Sequence, residues 1–332
     1  MTPTPEQLAR DPAQYPMAFD LAHDAVLFLR MDEADYRASS FLDERAATRG
    51  GEAWLPYADV ERAMAAPAAS RPLHFIFHMG HVGSTLLSRL LDETGIVLPL
   101  REPLPLRALA EAIDHDVPDT DRRLETMLRL WERGFPDSKT VVLKATSATE
   151  RLAPKLLKMR SQARAVLLNV SAESYLATLL AAPNSAVDLN VHGPERMHRL
   201  IKSGINVPRP TTLGELAAMS WLAERMTQAT IIGDHGDRIL SVDFDALLRQ
   251  TESILDRILA HFSIPQSPEQ VTQIARSPVL NRYSKAPEHE YSPAQRTALL
   301  EQARRAYGTE IHAALDWLQE VAVSSPAVSA IL

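Results

Sequence analysis

Short apolar runs bounded by turns recur along this chain, with leucine-rich helical periodicities between them. Residues 73–77, LHFIF, are too few for a helix and run into a glycine turn, so they predict a strand buried on both faces. From Ser84 onward, leucines at 86, 87, 90 and 91 repeat at helical spacing, and Asp92 and Glu93 lie beyond that apolar face. A second buried strand is predicted at 140–144, TVVLK, before a polar turn and a helical stretch through Leu156 and Leu157. The unit repeats with AVLLNV at 165–170 and a helix around 175–180. Beyond it come a long helix around 213–228, a strand within 238–244 and an amphipathic stretch at 246–262. A tail helix within 292–321 sets Leu299, Leu300, Ala303 and Ile311 on one stripe. Strand and helix units in succession, joined by right-handed crossovers, predict an α/β fold: a mostly parallel central sheet with helices on both faces.

Outside these units the pattern thins. The first seventy residues carry an apolar run at 25–29 that reads as a strand and a helix-like stretch at 60–65, ending in APAASRP, which reads as a linker. The expected division is therefore an N-terminal appendage at 1–70 and a main domain at 71–332. Residues 182–212 are rich in Pro, Gly, Asn, His and Arg with little apolar periodicity, and predict a lid or substrate loop. Together with 111–133 they are the stretches expected to shape an acceptor pocket.

Composition narrows the function classes. The 332 residues are 45% hydrophobic and 23% charged, as in an ordinary soluble globular protein. A formal net charge of -7 argues against a general nucleic-acid coat, so a polyanionic ligand has to meet a locally cationic pocket. No cysteine is present, which removes disulfides, thiolate metal sites and a cysteine nucleophile. The N-terminus lacks a basic segment followed by an apolar one, and no stretch approaches about 20 uninterrupted apolar residues, so a cytoplasmic protein without membrane contact is expected. No histidine pair has metal-ligand spacing, and no metal is expected.

Chemistry concentrates in FHMGHVGSTLLSRLL, residues 77–91. A strand that ends in a glycine turn and enters a helix aims backbone N–H groups and the positive helix end at one spot, where an anion belongs. Gly80 and Gly83 permit positive φ and close approach, and Ser84 and Thr85 add hydroxyls at the first helical turn. This predicts a P-loop-type three-layer fold. The nucleoside-triphosphate form G-x-x-x-x-G-K-[ST] carries a lysine after its second conserved glycine, whereas Ser84 follows Gly83 here.

A glycine or proline, a cation, a variable residue and then G-[ST]-T followed by leucines resembles the loop of sulfotransferases, here Gly80, His81, Val82, Gly83, Ser84 and Thr85. REPLPLR at 101–107, the stretch 141–180, RILSVDFDALL and LNRYSKAPEHEY at 280–291 are similar to later segments of a divergent bacterial-type member. The resemblance implies transfer of a sulfuryl group from 3'-phosphoadenosine 5'-phosphosulfate to a hydroxyl or amine of a small-molecule acceptor, leaving 3',5'-ADP. It places six loop residues, 80–85, together with Asn169, Thr178, Arg282 and Lys285, on the nucleotide, and His81, Glu102 and Lys144 in the chemistry.

Several of these positions depart from the family's pattern. His81 stands where a lysine or arginine is usual and, with an ordinary pKa of about 6.5, is only partly charged at neutral pH. Asn169 stands where an arginine grips the 3'-phosphate and cannot make that bidentate charged contact. Thr178 keeps a hydroxyl near the family's phosphate-binding serine, while Ser171 or Ser174 is equally explained as a helix cap. Glu102 reads as a general base with a raised pKa or as a surface carboxylate paired with Arg101. Thr146 lies where some relatives place a histidine base. Arg282 and Lys285 are expected to close over phosphates or to be solvated loop cations. His192, His198, Arg199 and Lys202 read as scattered charges of a loop. Two other readings remain open: a non-catalytic nucleotide or anion binder, and a Mg-dependent phosphotransferase with Asp243 as metal ligand.

Overall fold

In the computed structural model, which describes residues 2–46, 51–65, 69–286 and 288–332, the apolar run at 73–77 becomes the central strand of a parallel sheet. The sheet comprises β4 (Leu73–His78), β5 (Val97–Arg101), β6 (Thr140–Lys144), β7 (Ala165–Asn169) and β8 (Ile239–Asp243) in the order β5-β6-β4-β7-β8. Every neighbouring pair is parallel. A smaller antiparallel sheet precedes it, β1 (Gln14–Asp20), β2 (Ala25–Arg30) and β3 (Ala53–Pro56).

Side-chain alternation along the strands divides the core into two layers. Phe75, Phe77, Val141, Leu143 and Leu167 face one layer, and Ile76, Val142, Val166 and Leu168 face the other. Helices Leu104–Asp114, Thr120–Trp131 and Ala153–Met159 pack on the first face. Helices Ser84–Asp92, Ala172–Ala181, Leu213–His235, Thr251–His261 and Pro293–Ser324 cover the second. Thus the helix after β4 and the helix after β6, neighbouring strands, lie on opposite faces. A crevice opens between their carboxyl ends, where ligands collect in open α/β sheets.

The N-terminal residues share the first layer: Tyr15, Val26, Phe28 and Val60 belong to the same apolar cluster as Phe75 and Leu143. Two buried arginines stitch this region down. Arg133 donates to the carbonyls of Leu8, Asp11 and Gln14. Arg101, with a fully enclosed side chain, donates to the carbonyls of Arg37 and Ser39 and pairs with Asp92 at 2.8 Å. Residues 66–68, the start of the expected linker, lie outside the described residues, as does Pro287 in the C-terminal segment.

Two segments differ from the sequence pattern. Residues 182–212 are mostly helix, Ser185–Lys202, not a loop. Its buried stripe is Ser185, Leu189, Gly193, Arg196 and Leu200, so three of the five positions that would show helical periodicity are not apolar side chains. A Cβ on Gly193 would come within 3.2 Å of Leu216, and the glycine allows the two helices to approach. The stretch 246–262 is two helices, Phe244–Arg249 and Thr251–His261, broken at Gln250. On the tail helix, Leu300, Ala303 and Ile311 are buried as expected, but Leu299 is 52% exposed. Strands β1, β3 and β5 were not legible in the pattern.

Removing a member of a buried charge network strands its partners, at a cost of about 3–5 kcal/mol. Arg101→Ala is therefore expected to lower unfolding stability by roughly that amount in urea titration, and an unchanged midpoint would show that the network is not needed to dock residues 36–39.

Candidate anion-binding and transfer site

The crevice holds a cleft of about 880 Å³. Among the described residues it is lined by eight Lys or Arg side chains against six Asp or Glu, although the whole chain has 42 acidic and 35 basic residues. Local charge is thus opposite in sign to net charge.

One end of the cleft is the turn between β4 and helix Ser84–Asp92. Gly80 (φ 87), His81 (φ 56) and Gly83 (φ 68) are left-handed, so the chain folds tightly enough to expose backbone N–H groups inside the bend. For a histidine this conformation stores about 1–3 kcal/mol of strain, a cost that clusters at functional sites. The first closing helical bond runs from Leu87 N–H to the Gly83 carbonyl at 3.0 Å, and Gly83 has no side chain to cap the helix. The N–H groups of Ser84, Thr85 and Leu86 are left without intrahelical acceptors. Gly83 is required for a second reason: a Cβ there would lie 1.9 Å from the Phe244 ring.

Thr85 Oγ1, Thr146 Oγ1 and His78 Nε2, close to this turn, are among the buried polar atoms of the cleft lining that have no partner. His78 was not singled out by its sequence context. Its Nδ1 accepts the Gly80 N–H at 3.1 Å, which leaves the proton of a neutral ring on Nε2. Burial, reinforced by the charge of Lys144, pushes its pKa down to about 3, so the ring is neutral.

Lys144 ends β6 with no exposed side-chain surface, opposite Ile76 of β4 and Arg101 of β5. Its ammonium pairs with Glu102 Oε1 and reaches Ser84 Oγ at 3.5 Å. Glu102 is itself left-handed (φ 57), and its N–H donates to the Lys144 carbonyl at 2.7 Å. It is 8% exposed and also faces Arg107 at 3.3 Å. Burial pushes its carboxyl up, but the charge and hydrogen bond of Lys144, with Arg107 behind, bring it below the ordinary range. Both sequence readings of Glu102 are thereby corrected: its pKa is lowered rather than raised, and its partner is Lys144, because Arg101 turns the other way to Asp92.

The remaining predicted residues separate. Val82, Thr178, Arg282 and Lys285 line the cleft with the turn. Lys144 lies just behind its wall. Asn169 is not in the lining: at the end of β7, its Nδ2 donates to Ser241 Oγ on β8 at 2.9 Å. Ser171 caps helix Ala172–Ala181. Asp243, weighed as a metal ligand, caps helix Phe244–Arg249 by accepting the Ala246 N–H at 2.7 Å. No cluster of metal-ligating side chains occurs among the described residues. His81 is exposed at its surface yet enclosed by the cleft walls; that enclosure, then the charge of Lys285, lowers its pKa.

Tertiary packing adds residues that carried no local signal. Phe41, from the N-terminal region, has Arg45 3.7 Å, Lys144 5.6 Å and Lys285 6.0 Å from its ring centroid, a cation–π cluster at the cleft wall. On helix Ser185–Lys202, Arg199 is not a scattered loop charge: like Arg196, it donates to buried Glu224, at 3.0 and 2.9 Å respectively. His192 also faces the cleft, whereas His198 and Lys202 are exposed outside it. Of the stretch 111–133, Glu111 and Asp114 reach the lining.

No protein-family model matches the chain, and no curated protein matches it. Among solved structures it is similar to a sulfotransferase domain from the curacin biosynthetic pathway, at 13% identity over 71% of this chain and 91% of that one, TM-score 0.40. It is similar to sulfotransferase STF9 from Mycobacterium avium, at 12% identity over 75% and 79%, TM-score 0.40. It is also similar to a mouse sulfotransferase complexed with PAP, at 11% identity over 80% and 90%, TM-score 0.38.

Two measurements probe the turn. Gly95 is also left-handed (φ 72), but nothing lies within 4 Å of its absent Cβ. Gly95→Ala should cost only the left-handed penalty of about 1–2 kcal/mol, and Gly83→Ala distinctly more because Phe244 has to move; equal costs in chemical denaturation would refute the close-packing role. For His78 the folded pKa of about 3 lies below the unfolded value of about 6.5, so only the unfolded chain takes up the proton in that window. Stability should fall as pH drops from about 6.5 toward 3, by at most about 1.4 kcal/mol per pH unit from this group. His78→Asn, which can still accept the Gly80 N–H, should flatten that limb; an unaltered slope would place the proton elsewhere.

Proposed function

We propose that this chain is a sulfotransferase-type enzyme of the cytoplasm, moving a sulfuryl group from 3'-phosphoadenosine 5'-phosphosulfate to a hydroxyl or amine of a small acceptor. The observation that carries the reading is the uncapped, left-handed glycine turn with buried, unpartnered Thr85 Oγ1 beneath it and Lys144 directed at Ser84. These donors fit the 5'-phosphosulfate end of the donor: backbone amides and hydroxyls for oxyanions, and a fixed ammonium nearby. The position after Gly83 lacks the lysine that a nucleoside-triphosphate loop uses. When bound, the donor supplies an activated sulfuryl group on a phosphate leaving group.

The chain's own residues then divide the work. The turn at 80–85 holds the anion, and Lys144, fixed by Glu102, offsets charge where the leaving phosphate ends. Glu102, held ionised, is the group proposed to take the acceptor's proton. Phe41, Lys285 and the polar face of helix Ser185–Lys202 wall the cleft against water.

Two observations favour a second reading, a non-catalytic nucleotide binder. His81 occupies the cation position with a lowered pKa, and Asn169 is tied to Ser241 away from the cleft. Turnover separates the two readings.

Thermal unfolding with 3',5'-ADP is the first test. A ligand at about 100 times its dissociation constant adds about 2.7 kcal/mol, read as a rise of several degrees. No rise up to millimolar 3',5'-ADP would sink both readings, and a rise with ATP only when Mg is present would redirect the assignment to phosphoryl transfer. With binding established, His81→Arg should raise turnover on an acceptor panel and flatten its decline as pH rises from the acid side toward neutrality, the range in which a histidine of lowered pKa loses its charge. Binding with no turnover by either protein favours the binder.

A further inference from the structure

Helix Ser185–Lys202 walls the cleft with one side and turns another to water. On that outer side Val187, Val191, Pro194, His198 and Ile201 are all exposed, spaced alternately by four and three residues. This spacing sets them on one stripe along the helix, as the a and d positions of a coiled coil are, with His198 its one polar member. Val187 is 67% exposed, Val191 66% and Ile201 60%. Branched side chains lose χ1 freedom in a helix, so these three weaken it unless something packs on them. Apolar residues scattered over a surface call for no explanation, but a stripe of this spacing does.

Beside the stripe lies an open groove of about 730 Å³, between this helix and residues 207–219. Pro194 belongs to both: it is on the stripe, and it lines the groove with Met197, Val207, Leu213 and Leu216. The helix thus offers a ridge and a furrow side by side, which a two-fold axis can fit to each other. Charge fixes the direction. Asp188 adjoins Val187 at the N-terminal end of the stripe, and Lys202 adjoins Ile201 at the C-terminal end, both exposed. Asp188 is only loosely held within its own chain, with His192 Nε2 at 3.7 Å and Arg196 Nη1 at 3.9 Å. A parallel copy sets like charge beside like at both ends. An antiparallel copy sets Asp188 toward Lys202 and opposes the two helix dipoles, which is favourable.

We propose that this face is a homodimer interface, in which helix Ser185–Lys202 packs antiparallel on its own copy about a two-fold axis near Pro194. The assignment does not depend on the nucleotide reading. A single helix pair is small beside the standard interface of about 800 Å² per partner, so a reversible association of micromolar strength fits. Because the same helix carries Arg196 and Arg199 to the cleft, the contact also braces the cleft wall.

Sedimentation velocity of the full chain between about 1 and 100 μM tests the inference. The mass should rise with concentration toward twice that of the monomer. Val191→Glu should hold it at the monomer mass, with the unfolding midpoint of dilute protein unchanged because the side chain is already mostly in water. Should that variant not fold, Ile201→Glu makes the same test from the other end of the stripe. The chain has no cysteine, so a single introduced one reports direction. Pro194→Cys should give a disulfide-linked dimer on mild oxidation and Val187→Cys should not, since antiparallel helices centred on 194 hold the two 187 positions about 21 Å apart along the axis. A chain that stays monomeric throughout overturns the interface and leaves the stripe to a different protein. A dimer that a folded glutamate variant leaves intact overturns it too. Cross-linking through Val187→Cys but not through Pro194→Cys overturns the antiparallel arrangement.

Discussion

Lys144 sits at the end of an interior strand with no solvent-exposed side-chain surface, and the site is arranged around the need to keep that charge accompanied. An ammonium removed from water is unfavourable by several kcal/mol unless a counter-charge and hydrogen bonds are in place. Glu102 provides the counter-charge, which requires the chain leaving β5 to turn back through a left-handed residue and donate its N–H to the Lys144 carbonyl. Ser84 provides a further contact from the first turn of the helix after β4. Three adjacent strands, β5, β6 and β4, are thus tied at their carboxyl ends by one charge pair and its neighbours.

The glycine turn is held from the opposite side by packing rather than by charge. Phe244 fills the volume that any side chain at 83 would need, and Arg296, bonded to Asp245, lies over the same ring. The turn is therefore clamped between a buried ion pair and an aromatic wedge. That rigidity suits an oxyanion site, where donors must be in place before charge develops. At the end of β5, fully buried Arg101 has a related role, anchoring residues 37–39 so that Phe41 and Arg45 reach the cleft wall.

Much of the sheet and the glycine turn itself were legible along the chain. Strands β4, β6 and β7 announce themselves as apolar runs because their residues meet core on both faces, and the helix after the turn shows its leucines at 3.6-residue spacing. Gly80, Gly83, Ser84 and Thr85 were readable because positive φ and small hydroxyl donors restrict residue choice locally. Helix Ser185–Lys202 was not, since Gly193 and Arg196 occupy its buried face. Strand β5 carries Pro99 and ends in an arginine, which breaks the expected apolar run.

By itself the sequence determined the strand, glycine turn and helix start on which the proposed anion site rests, because positive φ and small hydroxyl side chains restrict residue choice within a short stretch of chain. Tertiary structure alone decided which charges are paired. Glu102 meets Lys144 across 42 positions and Arg296 meets Asp245 across 51, and no local pattern records such pairings. It also decided protonation: His78 is neutral and Glu102 ionised because of what surrounds them in space, not what adjoins them in the chain.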